Sequence, residues 1–358
     1  MPRRPSPIAM PAINRRHMLG GTLAVAATAA SLPRLARAQD RIVNIYNWDT
    51  YIGETTVFDF TDKTGVEVRY DLFASNDELF SKLREGNPGY DVIYPSNDWV
   101  ERMILAGMLT ELDHAKIPNF ANIDGKFANP EFDPGRRFSM PYMWGTMGIG
   151  YRKSVASPNS WKDLLTDPAL AGRVSLLDDK HVIQMALKYL GLSLNSRDPA
   201  EIAAAADALI EVKSQVKTFT PDTGQDLLIS GEVDAAHEWS GDILQVMAED
   251  DDLNYVVPEE GSNIWEDTMA IPKDAPHVEE ALEWINYILD AQVHASIAEY
   301  IQYACPNAAA MQYIPESDRD NPAIYPPPEV LARCETLIYK GEEVESLYDE
   351  ALTRVLAA

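Results

Sequence analysis

Two segments far apart in the chain set aromatic rings beside carboxylates. Ile45-Tyr46-Asn47-Trp48-Asp49-Thr50-Tyr51 ends the first expected strand, and Ile264-Trp265-Glu266-Asp267-Thr268 follows more than two hundred residues later. Rings attract a cation through the negative face of their π-systems, and carboxylates neutralise it through charge-assisted hydrogen bonds. Together they suit a small organic cation. Other chemistries lack their parts. There is no Gly-x-Ser-x-Gly, and the six histidines form no His-x-x-x-His pair or acid-bracketed triad. Gly145, Gly148 and Gly150 lie in a segment that reads as strand, so they make no phosphate loop. A ferric-ion binder needs adjacent tyrosines, and the chain has no Tyr-Tyr pair. Two cysteines, Cys305 and Cys334, are too few and too far apart for a zinc or iron–sulfur centre, so neither a metal nor a cofactor is expected.

The N-terminus reads as an address rather than as fold. Asn14-Arg15-Arg16-His17-Met18-Leu19 precedes an apolar run from Gly20 to Ala30, and Ala36-Arg37-Ala38 then supplies small residues for cleavage after Ala38. The run is well short of the roughly 20 residues that span a bilayer. The twin arginines resemble a twin-arginine export signal, although Asn14 and Met18 are not its usual residues. A periplasmic protein free of lipid anchor is expected, since no lipobox cysteine is present. Without residues 1–38, Lys plus Arg fall from 30 to 24 against 56 acids, and the formal charge moves from −26 to −32. That acidity argues against nucleic acid and anionic membrane as partners. A solvated acidic surface explains it equally well, so charge alone does not identify a cationic ligand.

Elements that would position the two segments alternate along the chain. Arg41–Trp48, Val66–Phe73 and Tyr90–Pro95 read as strands; Thr55–Lys63, a helix opened by the capping box Ser75-Asn76-Asp77-Glu78 and running to Arg84, and Asp98–Leu105 read as helices. Such alternation predicts parallel strands joined by crossover helices, with ligands beyond the carboxyl ends of the strands, where Trp48–Tyr51 and Ser96–Trp99 fall. After Gly150 come helices at Ser160–Leu165, His181–Leu190 and Pro199–Val216, and strands at Arg173–Leu177, Val233–Trp239 and Tyr255–Val257. Helical pattern also runs from Trp239 to about Glu249. Thr268–Pro272, the helix Val278–Leu289 and a closing helix Glu342–Leu356 complete an α/β chain of about 320 mature residues.

In order, Tyr46-Asn47-Trp48-x-x-Tyr51, Tyr90-Asp91-Val92-x-x-Pro95-Ser96, Pro141-Tyr142-x-Trp144-Gly145, Gln184-Met185-Ala186-Leu187, Trp265-x-Asp267-x-x-Ala270-Ile271-Pro272 and Tyr303-x-x-Pro306-Asn307 resemble the periplasmic spermidine/putrescine-binding proteins that feed ABC importers. The resemblance runs from about Ile42 to the last helix. It implies a two-lobed type II periplasmic binding fold with the ligand in a cleft between lobes joined by crossing strands. The expected division is 39–148 plus 267–314 for one lobe and 149–266 plus 315–358 for the other, with crossings near Thr146–Gly150, Ser262–Asp267 and Tyr313–Ser317. It also implies a monomer that takes a polyamine and docks on permease subunits. A polyamine sensor docking on a membrane receptor, or a binder of another small cationic or zwitterionic solute, stays open beside it.

By the same resemblance, Trp48, Tyr51, Trp239, Trp265 and Tyr303 wall the ligand, Asp267 and Asp242 bind ammonium groups, and Ser96 donates a hydrogen bond unless it serves as a helix cap. Two departures bear on the far end. The family's acid before Tyr51 is replaced by Thr50, leaving Asp49 one place earlier, and a second family acid falls at His181, just after Asp178-Asp179-Lys180. In an extended strand Asp49 faces away from Trp48 and Thr50, so only a bend turns it inward. Asp178 or Asp179 reaches the ligand only if a shortened loop allows it. Weaker spermidine binding than the family norm follows, and a protonated His181 would lower diamine affinity below about pH 6.5. The resemblance brings Cys305 and Cys334 to one side of the cleft, so a disulfide is expected, with two separate thiols as the alternative.

Overall fold

The computed structural model describes residues 41–358, so the export signal expected over residues 1–38 lies outside the described residues. Ten strands are present among them: β1 (Ile42–Trp48), β2 (Glu67–Phe73), β3 (Val92–Ile93), β4 (Ser139–Arg152), β5 (Val174–Leu177), β6 (Val216–Thr220), β7 (Ala235–Trp239), β8 (Leu253–Val256), β9 (Asn263–Ala270) and β10 (Glu335–Thr336). Their lateral order is β2-β1-β3-β9-β4-β7-β5-β6, with β10 on β9 and β8 on β4. β1 pairs parallel with β2 and β3, and β5 pairs parallel with β6 and β7. Parallel neighbours need crossovers, which the helices Thr56–Thr64, Asn76–Arg84 and Lys180–Tyr189 help to supply.

β4 and β9 run antiparallel and join these two halves. β4 is 14 residues long and buried almost throughout, which is why its sequence is apolar and glycine-rich rather than alternating. Its first residues, to Met143, belong to one hydrophobic core with Ile45, Phe60, Tyr94, Trp284 and Ile297. Further on, Ile149 belongs to a second core with Trp161, Leu176, Val182, Tyr348 and Val355. Burying a side chain such as Phe60 contributes about 1.5–3 kcal/mol. Trp265 packs in the first core. The closing helix Glu342–Ala357 packs on the second through Tyr348, Ala351 and Val355.

Several expected elements are displaced. The helix expected over Pro199–Val216 ends at Glu211, and after one short turn the chain forms β6. Val216, Thr218 and Thr220 favour the extended state, and pairing with β5 decides it. Of Thr268–Pro272, Thr268 to Ala270 form the tail of the longer β9, and a helix over Ala291–Ile301 was not foreseen. The expected disulfide is not formed: Cys305 and Cys334 are both free thiols. Cys305 is buried, and its N–H donates to the Tyr325 hydroxyl at 3.1 Å. Cys334 Sγ instead donates to the Val330 carbonyl, turned back onto its own helical segment just before β10. Among the described residues no helix is long and apolar enough to cross a membrane.

Candidate functional site

A cavity of about 410 Å³ opens where β1, β7 and β9 end or cross, a size ordinary for small-molecule sites. Its apolar walls are Trp48, Phe73, Trp239, Trp265, Tyr51 and Tyr303, and its acids are Asp49, Asp222, Asp226, Asp242 and Asp267. No Lys, Arg or His lines it. Trp239 meets Trp265 edge to face at 5.7 Å, and Trp265 meets Tyr303 at 5.0 Å, so the rings brace one another. Trp48 is held by its indole N–H, which donates to the Tyr94 carbonyl at 2.8 Å, and by Phe73 at 4.5 Å.

Asp267 anchors one end. Ser96 Oγ donates to its Oδ1 at 2.6 Å, and Asn76 donates to Ser96 Oγ at 2.9 Å. Ser96 does precede a helix, Asn97–Leu105, yet its side chain makes no cap bond; the hydroxyl is directed to Asp267 instead. Burial pushes Asp267 up to about 7, against the opposing hydrogen bond of Ser96. One position earlier, Glu266 forms a buried ion pair with Arg136 at 2.6 Å. Gly145, facing Trp265 across the β4–β9 ladder, allows that ring to approach: a Cβ there would lie 2.7 Å from it.

The second end is built on β7 and the helix Ser240–Met247. Asp242 stands in that helix's first turn, and the Tyr303 hydroxyl donates to its Oδ2 at 2.8 Å. Gly241 makes this contact possible, since a Cβ at 241 would fall 2.4 Å from the Tyr303 ring. Asp222 and the buried Glu238 stand with Asp242, one oxygen of each within 4.8 Å of the others. Burial, then Asp222, holds Asp242 well above the usual carboxylate range; Glu238 is raised likewise by burial and by both neighbours.

Of the expected site residues, Trp48, Asp49, Thr50, Tyr51, Ser96, Trp239, Asp242, Trp265, Asp267 and Tyr303 come together on this cavity. The bend that Asp49 requires is present: the strand stops at Trp48, and Thr50 takes a φ of 49° in a turn. Asp49 remains exposed, and its carboxylate accepts from the Thr50 N–H at 2.8 Å. Asp178, Asp179 and His181 are not brought to the cavity. Asp179 caps the helix Lys180–Tyr189, accepting from the His181 N–H, and its two oxygens lie 2.9 Å from His181 Nδ1. His181 packs edge-on behind Trp239 at 5.0 Å. Burial lowers its pKa, but Asp179 outweighs that and the net shift is upward, so the ring's charge is balanced by its own partner rather than set against a ligand. Phe73, Asp222, Asp226 and Glu238 were missed. Asp222 follows β6, and because no strand was expected after the helix carried to Val216, the strand end on which it stands was hidden.

The profile of the bacterial extracellular solute-binding protein family matches residues 55–324. The chain is 33% identical to the putrescine-binding periplasmic protein SpuD of Pseudomonas aeruginosa, over 94% of this chain and 96% of that protein. It is 34% identical to the putrescine-binding periplasmic protein PotF of Escherichia coli, over 97% and 99% respectively. Among solved structures, the spermidine/putrescine ABC transporter substrate-binding protein PotD of Streptococcus pneumoniae, in complex with calcium and HEPES, superimposes with a TM-score of 0.79 at 32% identity, covering 88% of this chain and 99% of that one.

Proposed function

We propose that this chain, which belongs to the family of bacterial extracellular solute-binding proteins, takes a putrescine- or spermidine-like polyamine in its cleft and delivers it to the permease of an ABC importer. Its fold is the two-lobed type II architecture, with crossing strands between the lobes. The observation that carries the reading is the cavity itself, with five carboxylates, six aromatic rings and no basic side chain among its lining residues.

One ammonium sits at Asp267, with Ser96 fixing the carboxylate; the other end of the chain reaches Asp242 beneath Tyr303. Burying an unpaired ammonium costs several kcal/mol, so each amine needs such a partner. Methylenes between them lie against Trp48, Trp239 and Trp265, where apolar burial contributes about 25 cal/mol per Å² and each cation–π contact about 0.5–2 kcal/mol. We assign residues 39–148 and 267–314 to one lobe and 149–266 and 315–358 to the other. Asp267 and Trp48 come from the first lobe and Trp239 and Asp242 from the second. The ligand therefore favours the closed state by touching both at once. Action is by binding and release, in the periplasm after export.

Calorimetric titration with putrescine, spermidine, arginine, lysine and neutral sugars tests this reading. Saturable heat is expected from the polyamines and none from the sugars. Tight binding of a sugar with no response to any amine would overturn it.

A further inference from the structure

Asp222, Glu238 and Asp242 present three carboxylates at one end of the cleft with no basic residue among them. Their oxygens lie within 4.8 Å of one another, and Glu238 is 0% exposed. Glu238 is locked in place: the Gly224 N–H donates to its Oε1 at 2.8 Å and the Trp239 N–H to its Oε2 at 3.2 Å. Asp242 has one donor, the Tyr303 hydroxyl. The surroundings make matters worse for charge. Asp49 from the turn after β1, Asp226 from the helix Gly224–Ile229 and Asp179 from the start of the helix Lys180–Tyr189 all act on Asp222, and the nearest charge partner of Asp179 is its own His181. Asp222 and Asp242 of the trio line the same cavity as Trp265, which is 5% exposed and whose indole N–H has no partner.

Three like charges in so small a space cannot all ionise without a cation, so at least one proton stays among them. We propose that Asp222 is a specificity-determining residue: with Glu238 and Asp242 it keeps a shared proton in the unliganded cleft, which a ligand's ammonium expels to solvent and a neutral ligand end does not. This rests on the polyamine reading given above. The protonated trio can donate to a hydroxyl, and the deprotonated trio can accept all three N–H bonds of an ammonium. That end of the cleft therefore reads the charge of the ligand's tail, and it reads it more sharply as pH rises. Asp222, on the solvent-exposed side of the trio but pushed up to about 6 by the desolvation its neighbours impose and by Asp179, places the transition within the range a periplasm experiences.

Putrescine and 4-amino-1-butanol are titrated into the full mature protein at about pH 6 in buffers of different ionisation enthalpy, which yields the protons released per ligand. The wild type is expected to release roughly one proton more with putrescine than with the amino alcohol. In Asp222→Asn that difference should fall to less than half, and a wild-type preference for the diamine, expected at roughly tenfold, should shrink with it. Glu350→Gln, exposed on the closing helix and away from the cleft, keeps the difference. Putrescine bound without extra proton release, or an Asp222→Asn protein with an unchanged difference, overturns the proposal while leaving polyamine binding intact. If Asp222→Asn does not fold, Asp222→Ser takes its place, and the same comparison of the two ligands decides. Failure of the wild type to bind either amine counts against the polyamine reading instead.

Discussion

At the scale of single residues, Asp267 carries opposite consequences for binding and for stability. Asp267→Asn keeps the shape of the side chain and the Ser96 contact but leaves a buried ammonium uncompensated. Loss of one partner of a buried charge pair costs about 3 kcal/mol, so affinity for putrescine should drop roughly 100-fold in calorimetry. The folded pKa of about 7 lies above the ordinary carboxylate value, so the empty native state binds the proton more tightly than the unfolded chain. Stability is therefore fully present below about pH 4 and is lost as pH rises towards 7, by a few kcal/mol at most. The melting temperature of ligand-free protein should fall between pH 5 and pH 8 by several degrees, and Asp267→Asn should flatten that slope. A slope of opposite sign would mean that Asp267 is not buried without charge compensation. Cys305 permits an independent check. Burial pushes its thiol up to about 12, so it should resist alkylation in the native protein, whereas two thiols should titrate on unfolding without reductant. No titratable thiol would restore the bridge.

At the scale of elements, β9 delivers both Trp265 and Asp267, and what holds it decides how well the cleft is formed. Arg136 has no exposed side-chain surface, donates through Nε to the Phe127 carbonyl at 2.8 Å and pairs with Glu266 on β9. Arg136→Met strands Glu266, which burial already pushes up to about 7, and should destabilise by about 3–5 kcal/mol in urea unfolding. A loss below about 1 kcal/mol would show that solvent reaches Glu266. Elements of this kind were legible where local chemistry is self-sufficient. The Ser75 cap, whose Oγ accepts from the Glu78 N–H at 3.1 Å, marks its helix in the sequence alone. β6 was not legible, because an alanine-rich helix runs into it and only its pairing with β5 makes Val216–Thr220 a strand. That one error removed Asp222 from view. The aromatic box was read from a family pattern, while the roles of Asp179 and His181 depended on a helix cap whose direction no spacing reveals.

For the whole molecule, one pair of strands joins two hydrophobic cores, and the proposed ligand touches residues from both of the lobes proposed above. Saturating putrescine should reduce the radius of gyration in small-angle scattering, and an unchanged radius at full occupancy would remove closure from the mechanism. The strongly acidic mature chain should also draw cations from a distance, with association slowing as salt shortens the screening length to about 8 Å at physiological ionic strength.

Three of the seven tryptophans, Trp48, Trp239 and Trp265, line the cleft. Trp161 and Trp284 lie sealed in the two cores, and Trp144 is nearly as buried. The protein thus contains its own optical gauge. An ammonium arriving over the indole faces alters emission from the three cleft rings against a steady background from the interior. Single Trp→Phe replacements at 48, 239 and 265 would then apportion the spectral change ring by ring, so that occupancy of each end of the cleft is read as colour and intensity without label or dye.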